Sequence, residues 1–137
     1  MNNQAQTILN ILHTLPSGAV NKANLKAQVQ AAPEYSHHSP RSWQILTNEV
    51  WEIQRSNFVK LYKEPQGEAI AVFINQKQPS GALQCFSLTD GHSPATPEYL
   101  RTRCTRIAAD DVRAQKLVKY LLNGYAANYH TDRPILL

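Results

Sequence analysis

The chain has 137 residues, of which 42% are hydrophobic and 18% charged, and its formal net charge is +4. A chain of this size buries a core without disulfide or metal staples, and its composition excludes disordered, collagen-like and coiled-coil proteins. No apolar run approaches the roughly 20 residues that span a bilayer, and the opening MNNQAQTILNILHTL has no basic stretch or small-residue cleavage site. The expectation is a cytoplasmic protein with no membrane segment, forming one domain over residues 1–137.

In chain order, Gln4 to Leu15 places Ile8, Ile11, Leu12 and Leu15 at helical spacing, and Pro16-Ser17-Gly18 ends that helix. Asn21 suits the N-cap of a second helix from Lys22 to about Ala32, with Leu25, Val29 and Ala32 as its apolar stripe and Pro33 as its stop. After a YSHHS loop, Ser39 caps a third helix with Pro40 at its first position, where a missing N–H costs nothing. Trp43, Leu46, Val50 and Ile53 read as its buried seam. Phe58 to Lys63 and Ala69 to Gln76 are rich in β-branched and aromatic residues, and Glu64-Pro65-Gln66-Gly67 joins them as a hairpin turn. Pro79-Ser80-Gly81 is another turn, after which Ala82 to Leu88 adds a third antiparallel strand.

The stretch Thr89 to Pro97, TDGHSPATP, reads as a loop or subdomain border, and Pro97 to Ile107 fits a short helix or a strand. Asp110 or Asp111 opens a helix with Ala114, Leu117, Val118, Leu121, Leu122 and Tyr125 on one face, and YHTDRPILL reads as an irregular or extended tail. The fold class is therefore α+β: an N-terminal three-helix unit, a central antiparallel sheet of two to three strands, and a C-terminal amphipathic helix within a helical part spanning 97–137.

The fragments NKANLKAQV and SPRSWQILTNEVWEIQRSNFVKLYKE, with the hairpin that follows, make residues 4–76 resemble a winged helix-turn-helix domain. The loop AAPEYSHH is longer than the tight turn usual in that family. The resemblance implies a small regulatory protein that binds duplex DNA with its third helix and adjacent hairpin. Arg41, Gln44, Asn48 and Arg55 would face the groove, because arginine pairs with guanine and the amides with adenine, while Lys60 and Lys63 would touch phosphates. Independently, Arg101, Arg103 and Arg106, followed by Arg113, Lys116 and Lys119, make the C-terminal third the most basic region and a second candidate surface for an anionic partner. Against groove binding stand Glu49 and Glu52 on the third helix.

Catalytic and cofactor signatures are missing from the sequence. His37-His38 lacks the companions of a metal site, Cys85 and Cys104 form no CxxC pair and read as reduced, and no Gly-rich phosphate loop occurs. The order of elements is similar to the core of GNAT-type acyltransferases, but Arg113-Ala114-Gln115-Lys116-Leu117-Val118 has neither glycine of their pyrophosphate loop. The remaining alternative is a non-catalytic adaptor or inhibitor, encoded by a phage or plasmid, that binds another protein or its own copy. Leu117, Leu121 and Leu122 of the C-terminal helix would then be the anchors. No cofactor or metal is expected in either reading.

Overall fold

A computed structural model of the chain describes residues 3–35 and 40–137; the expected cap Ser39 and the pair His37-His38 lie outside the described residues. The chain divides into two compact units, Met1–Arg55 and Ser56–Leu137. That boundary falls inside the stretch 4–76, so the third helix belongs to the first unit and the hairpin to the second.

The first unit is three helices, α1 (Asn3–Thr14), α2 (Lys22–Ala31) and α3 (Pro40–Gln54), each packed against the other two. Ala5, Ile8, Leu12, Leu25, Val29, Trp43 and Val50 are its buried apolar residues. The Asn21 side-chain oxygen accepts from Asn24 N–H at 2.8 Å, which satisfies one of the free N–H groups at the start of α2. The buried face of α3 differs from the expected seam. Trp43, Thr47, Val50 and Gln54 are buried, whereas Ile53 is 67% exposed and Leu46 half-buried. Helical geometry explains this: at 3.6 residues per turn Gln54 lies about 20° around the axis from Trp43, but Ile53 lies about 80° away. Thr47 tolerates burial because its hydroxyl donates to the Trp43 carbonyl at 2.7 Å.

The second unit is a six-stranded sheet covered by helices. Its strands are β1 (Phe58–Lys63), β2 (Ala69–Lys77), β3 (Leu83–Ser87), β4 (Gly91–Ala95), β5 (Thr105–Arg106) and β6 (Ile135–Leu136). The order is β4-β3-β2-β1-β5, all neighbours antiparallel, and β6 runs parallel beside β1. The expected turn closes the first hairpin: Gly67 N–H donates to the Glu64 carbonyl at 2.8 Å, and Gly67 takes φ +101°, a value that disfavours any side chain.

Side-chain alternation gives the sheet two different faces. Val59, Leu61, Ala71, Phe73 and Phe86 form one, packed by Ala114 and by Leu117, Leu121 and Tyr125 of α5 (Gln115–Asn123) and α6 (Tyr125–Tyr129). Ile70, Val72 and Cys85 form the other, packed by Leu100 of α4 (Pro97–Thr102).

The sheet has six strands against the two to three expected; β4 and β6 fall where no strand is read, and β5 falls in the stretch that fits a short helix or a strand. TDGHSPATP contains β4 rather than a loop, because Pro94 sits on an edge strand, where a missing N–H breaks no inner ladder, and Gly91 at φ +67° makes the turn. Pro97 to Ile107 resolves into α4, whose cap Thr96 accepts from Tyr99 N–H at 3.1 Å, followed by the two-residue β5. The tail ends in β6, where Leu137 N–H donates to the Val59 carbonyl at 2.9 Å. Asp111 opens the C-terminal helical region as expected, accepting from Arg113 N–H at 2.9 Å. Leu117 and Leu121 are committed to the sheet's core, which leaves Leu122 exposed on α5. Among the described residues no helix is long and apolar enough to cross a membrane.

This packing predicts unequal costs along one helix. Leu121→Ala should lower the unfolding free energy by about 2–5 kcal/mol, the range for an emptied core leucine, while Leu122→Ala should change it by less than about 1 kcal/mol. Urea denaturation of the two variants checks this.

Candidate nucleic-acid interface

Antiparallel pairing of β1 with β5 sets Tyr62 opposite Arg106 and Lys63 opposite Thr105. Basic residues separated by some forty positions in the chain thereby meet at one sheet edge. Alternation along β1 buries Leu61 on the α5 side, so Lys60 and Tyr62 share the opposite face with Arg106. The Arg106 guanidinium lies 5.5 Å from the centre of the Tyr62 ring, and its Nη1 donates to the Leu61 carbonyl at 3.0 Å. One face and one corner of the guanidinium are held by the protein, and the remaining N–H groups stay available.

Helix α4 packs on the same sheet face through Leu100, and its C-terminal end brings Arg101 and Arg103 alongside, both exposed. Lys60 and Lys63 are half-buried by their stems. Among the described residues, the ion pairs are Arg113 with Asp111 at 2.7 Å and Arg55 with Glu52 at 3.5 Å. None of Lys60, Lys63, Arg101, Arg103 and Arg106 is in such a pair, but Lys63, which alternation puts on the Leu61 side of β1, helps to lower the Asp111 carboxyl; the excess of positive charge therefore rests on Lys60, Arg101, Arg103 and Arg106. Arg113 differs: Asp111 binds it twice, at 2.9 and 2.7 Å, and those bonds hold the Asp111 carboxyl down at about 2. Lys116 and Lys119 are exposed on α5.

The expected reading face of α3 is less uniform. Arg41 and Gln44 are exposed. Asn48 is half-buried with its side-chain oxygen enclosed, and Arg55, in the turn after α3, is engaged by Glu52. These four lie in the first unit and the five cations of the β1–β5 edge in the second.

Titratable groups elsewhere in the second unit are tied into packing. Cys85 and Cys104 are both free thiols, as expected. Cys85 is 3% exposed, and burial, reinforced by Cys104 and Glu64, pushes its thiol up to about 12; burial also raises Cys104. Neither is a thiolate at neutral pH, which argues against thiol nucleophilicity. Tyr99 donates its hydroxyl to Glu64 at 2.7 Å, and this bond raises the phenol well above its ordinary value. Among the described residues no group of three or more His, Cys, Asp or Glu is arranged to hold a metal ion.

His92 is the residue whose role the sequence did not disclose. Its place on β4, opposite Phe86, sets it among Phe86, Tyr125 and Tyr129. Its Nε2 lies 2.7 Å from the Tyr125 hydroxyl, and its Nδ1 lies 2.8 Å from the Gln84 amide nitrogen and 3.2 Å from the Cys85 carbonyl. A neutral ring fits this environment, since a protonated one would turn an N–H toward the Gln84 donor. Burial lowers the His92 pKa against a smaller opposing effect of the Cys85 carbonyl, and burial likewise pushes Tyr125 up to about 12.

No protein-family model, no curated protein and no solved structure matches this chain.

Two outcomes follow from the buried groups. An unfolded chain takes up a proton at His92 near its ordinary value of 6.5, whereas the folded chain resists until the pH is lower. Stability is therefore full above about 6.5 and falls as the pH drops below it, and His92→Gln should flatten that slope in melting curves recorded across the range. Iodoacetamide at neutral pH should alkylate Cys104 well before Cys85, as read by peptide mass spectrometry.

Proposed function

We propose that the protein is a nucleic-acid-binding regulatory protein that takes duplex DNA on the cationic edge formed by Lys60, Lys63, Arg101, Arg103 and Arg106. The observation that carries this reading is the Tyr62–Arg106 register, which sets Arg106 on the sheet face of Lys60 beside the end of α4 with Arg101 and Arg103, none of the four in an ion pair, while Lys63 stands on the same strand toward Asp111. Phosphate neutralisation by such side chains releases condensed counterions, so affinity comes from charge and falls with salt. Arg106 is the central contact, because its guanidinium is already positioned by Tyr62 and Leu61 and loses little freedom on binding.

Contacts to the backbone position a protein without reading sequence. In the winged-helix reading, sequence preference comes from Arg41 and Gln44, the exposed residues nearest the start of α3. The contribution of Asn48 and Arg55 is smaller, since the first is half-buried and the second paired with Glu52.

Fluorescence anisotropy with a random-sequence duplex tests the proposal. With up to five phosphates neutralised, log affinity should fall against log salt with a slope of up to about −4.5, and Arg106→Ala should reduce that slope by about 1. Arg106→Lys should restore charge without full affinity, because an ammonium cannot stack on Tyr62 as a planar fork does. Absence of binding at low salt would sink the reading.

A further inference from the structure

The first unit contains a cavity of about 270 Å³ between α2 and α3, lined by Lys26, Val29, Tyr35, Trp43, Thr47 and Asn48 among others. Two side-chain atoms of these residues, the Trp43 indole Nε1 and the Asn48 Oδ1, are buried and have no hydrogen-bond partner among the described residues. Trp43 is 3% exposed, so its N–H has given up water without receiving an acceptor. Buried polar atoms are nearly always paired, and one left unpaired forfeits its hydration. A donor and an acceptor in this condition belong to two residues that line one cavity, and a group that supplies an acceptor and a donor together would complement both.

The other walls narrow the chemistry. Val29 is apolar, the Thr47 hydroxyl is already spent on the Trp43 carbonyl, and the Tyr35 and Trp43 rings lie 5.9 Å apart with an interplanar angle of 36°. Aromatic walls with a few placed polar atoms suit a flat ring. Among the described residues no carboxylate lines the cavity, and Lys26 of its lining is exposed, so an anionic substituent would be favoured near it. The volume is just below the range of about 300–1,000 Å³ for drug-sized ligand pockets and suits a single heterocycle.

We propose that this cavity binds a nucleobase with a lactam edge, such as guanine, uracil or thymine. The ring carbonyl accepts from Trp43 Nε1–H, the ring N–H donates to Asn48 Oδ1, and a phosphate lies toward Lys26. Both atoms are enclosed, so binding on this proposal requires side chains of the lining to move aside. The inference concerns the first unit alone and does not depend on the cationic edge of the second. A free nucleotide and a base presented by a single strand share this chemistry.

The test is titration of the full-length protein, 15N-labelled, with guanosine monophosphate, thymidine monophosphate, N3-methylthymidine monophosphate and short oligothymidylate. The two indole N–H resonances are assigned with Trp51→Phe. Saturable displacement of the Trp43 resonance by the two unmodified nucleotides is expected, with binding weakened about tenfold by N3-methylation, which removes the ring N–H, and about tenfold by Asn48→Leu. A response to the free nucleotides alone identifies a small-molecule site, and a response to oligothymidylate as well identifies a strand-borne base. No movement of the Trp43 resonance, or equal binding of the N3-methylated nucleotide, would overturn the proposal; this ligand comparison stands even where Asn48→Leu fails to fold.

Discussion

The Leu61 carbonyl joins distant parts of the second unit: it accepts from Ile107 N–H at 3.1 Å and from the Arg106 guanidinium at 3.0 Å, while the Leu61 side chain is buried under the C-terminal helices. Three consequences meet at that residue. The backbone bond fixes β5 beside β1, the side chain anchors the core on one face, and the guanidinium bond orients a cation on the other. A neutral hydrogen bond contributes on the order of 1 kcal/mol and one to a charged group somewhat more. Such values alone do not hold a two-residue strand in place. Strand β5 is held because Leu100 before it and Ile107 after it are both buried, so core packing sets the register and the hydrogen bonds select it.

Charge placement depends on that register. With Tyr62 opposite Arg106, the arginine stacks on a half-buried ring; a slip by one residue would turn Arg106 to the other face and leave Tyr62 uncovered. The net charge of +4 is modest. Its effect is local, because two carboxylates pair with Arg55 and Arg113 while Lys60, Arg101, Arg103 and Arg106 are in no ion pair among the described residues.

Much of this fold could be read in the sequence wherever a local rule and an apolar pattern agree. Asn21 and α2, the Pro65–Gly67 turn between β1 and β2, and the Asp111 start of the C-terminal helical region all follow from capping and turn chemistry confined to a few residues. Elements that depend on distant partners could not be read. Strand β4 contains glycine, histidine, serine and proline and has low intrinsic β preference, but its pairing with β3 gives His92 and Ala95 a place. Strands β5 and β6 are too short to produce any periodic signal and exist only because β1 offers them an edge. On α3 the hydrophobic residues misled, since the helix buries Thr47 and Gln54 and exposes Ile53. As for the candidate site, the residue types were visible as basic positions; that Lys60 and Arg106 share a sheet face was a fact of topology.

On the proposed function, the β1–β5 edge, with the end of α4, is where nucleic acid meets this protein. Mapping backbone amide shifts while a random-sequence duplex is added tests it most directly. Perturbations should concentrate at 60–63 and 101–106 and fade as salt is raised. Perturbations confined to α3, or none anywhere at low salt, would contradict the account.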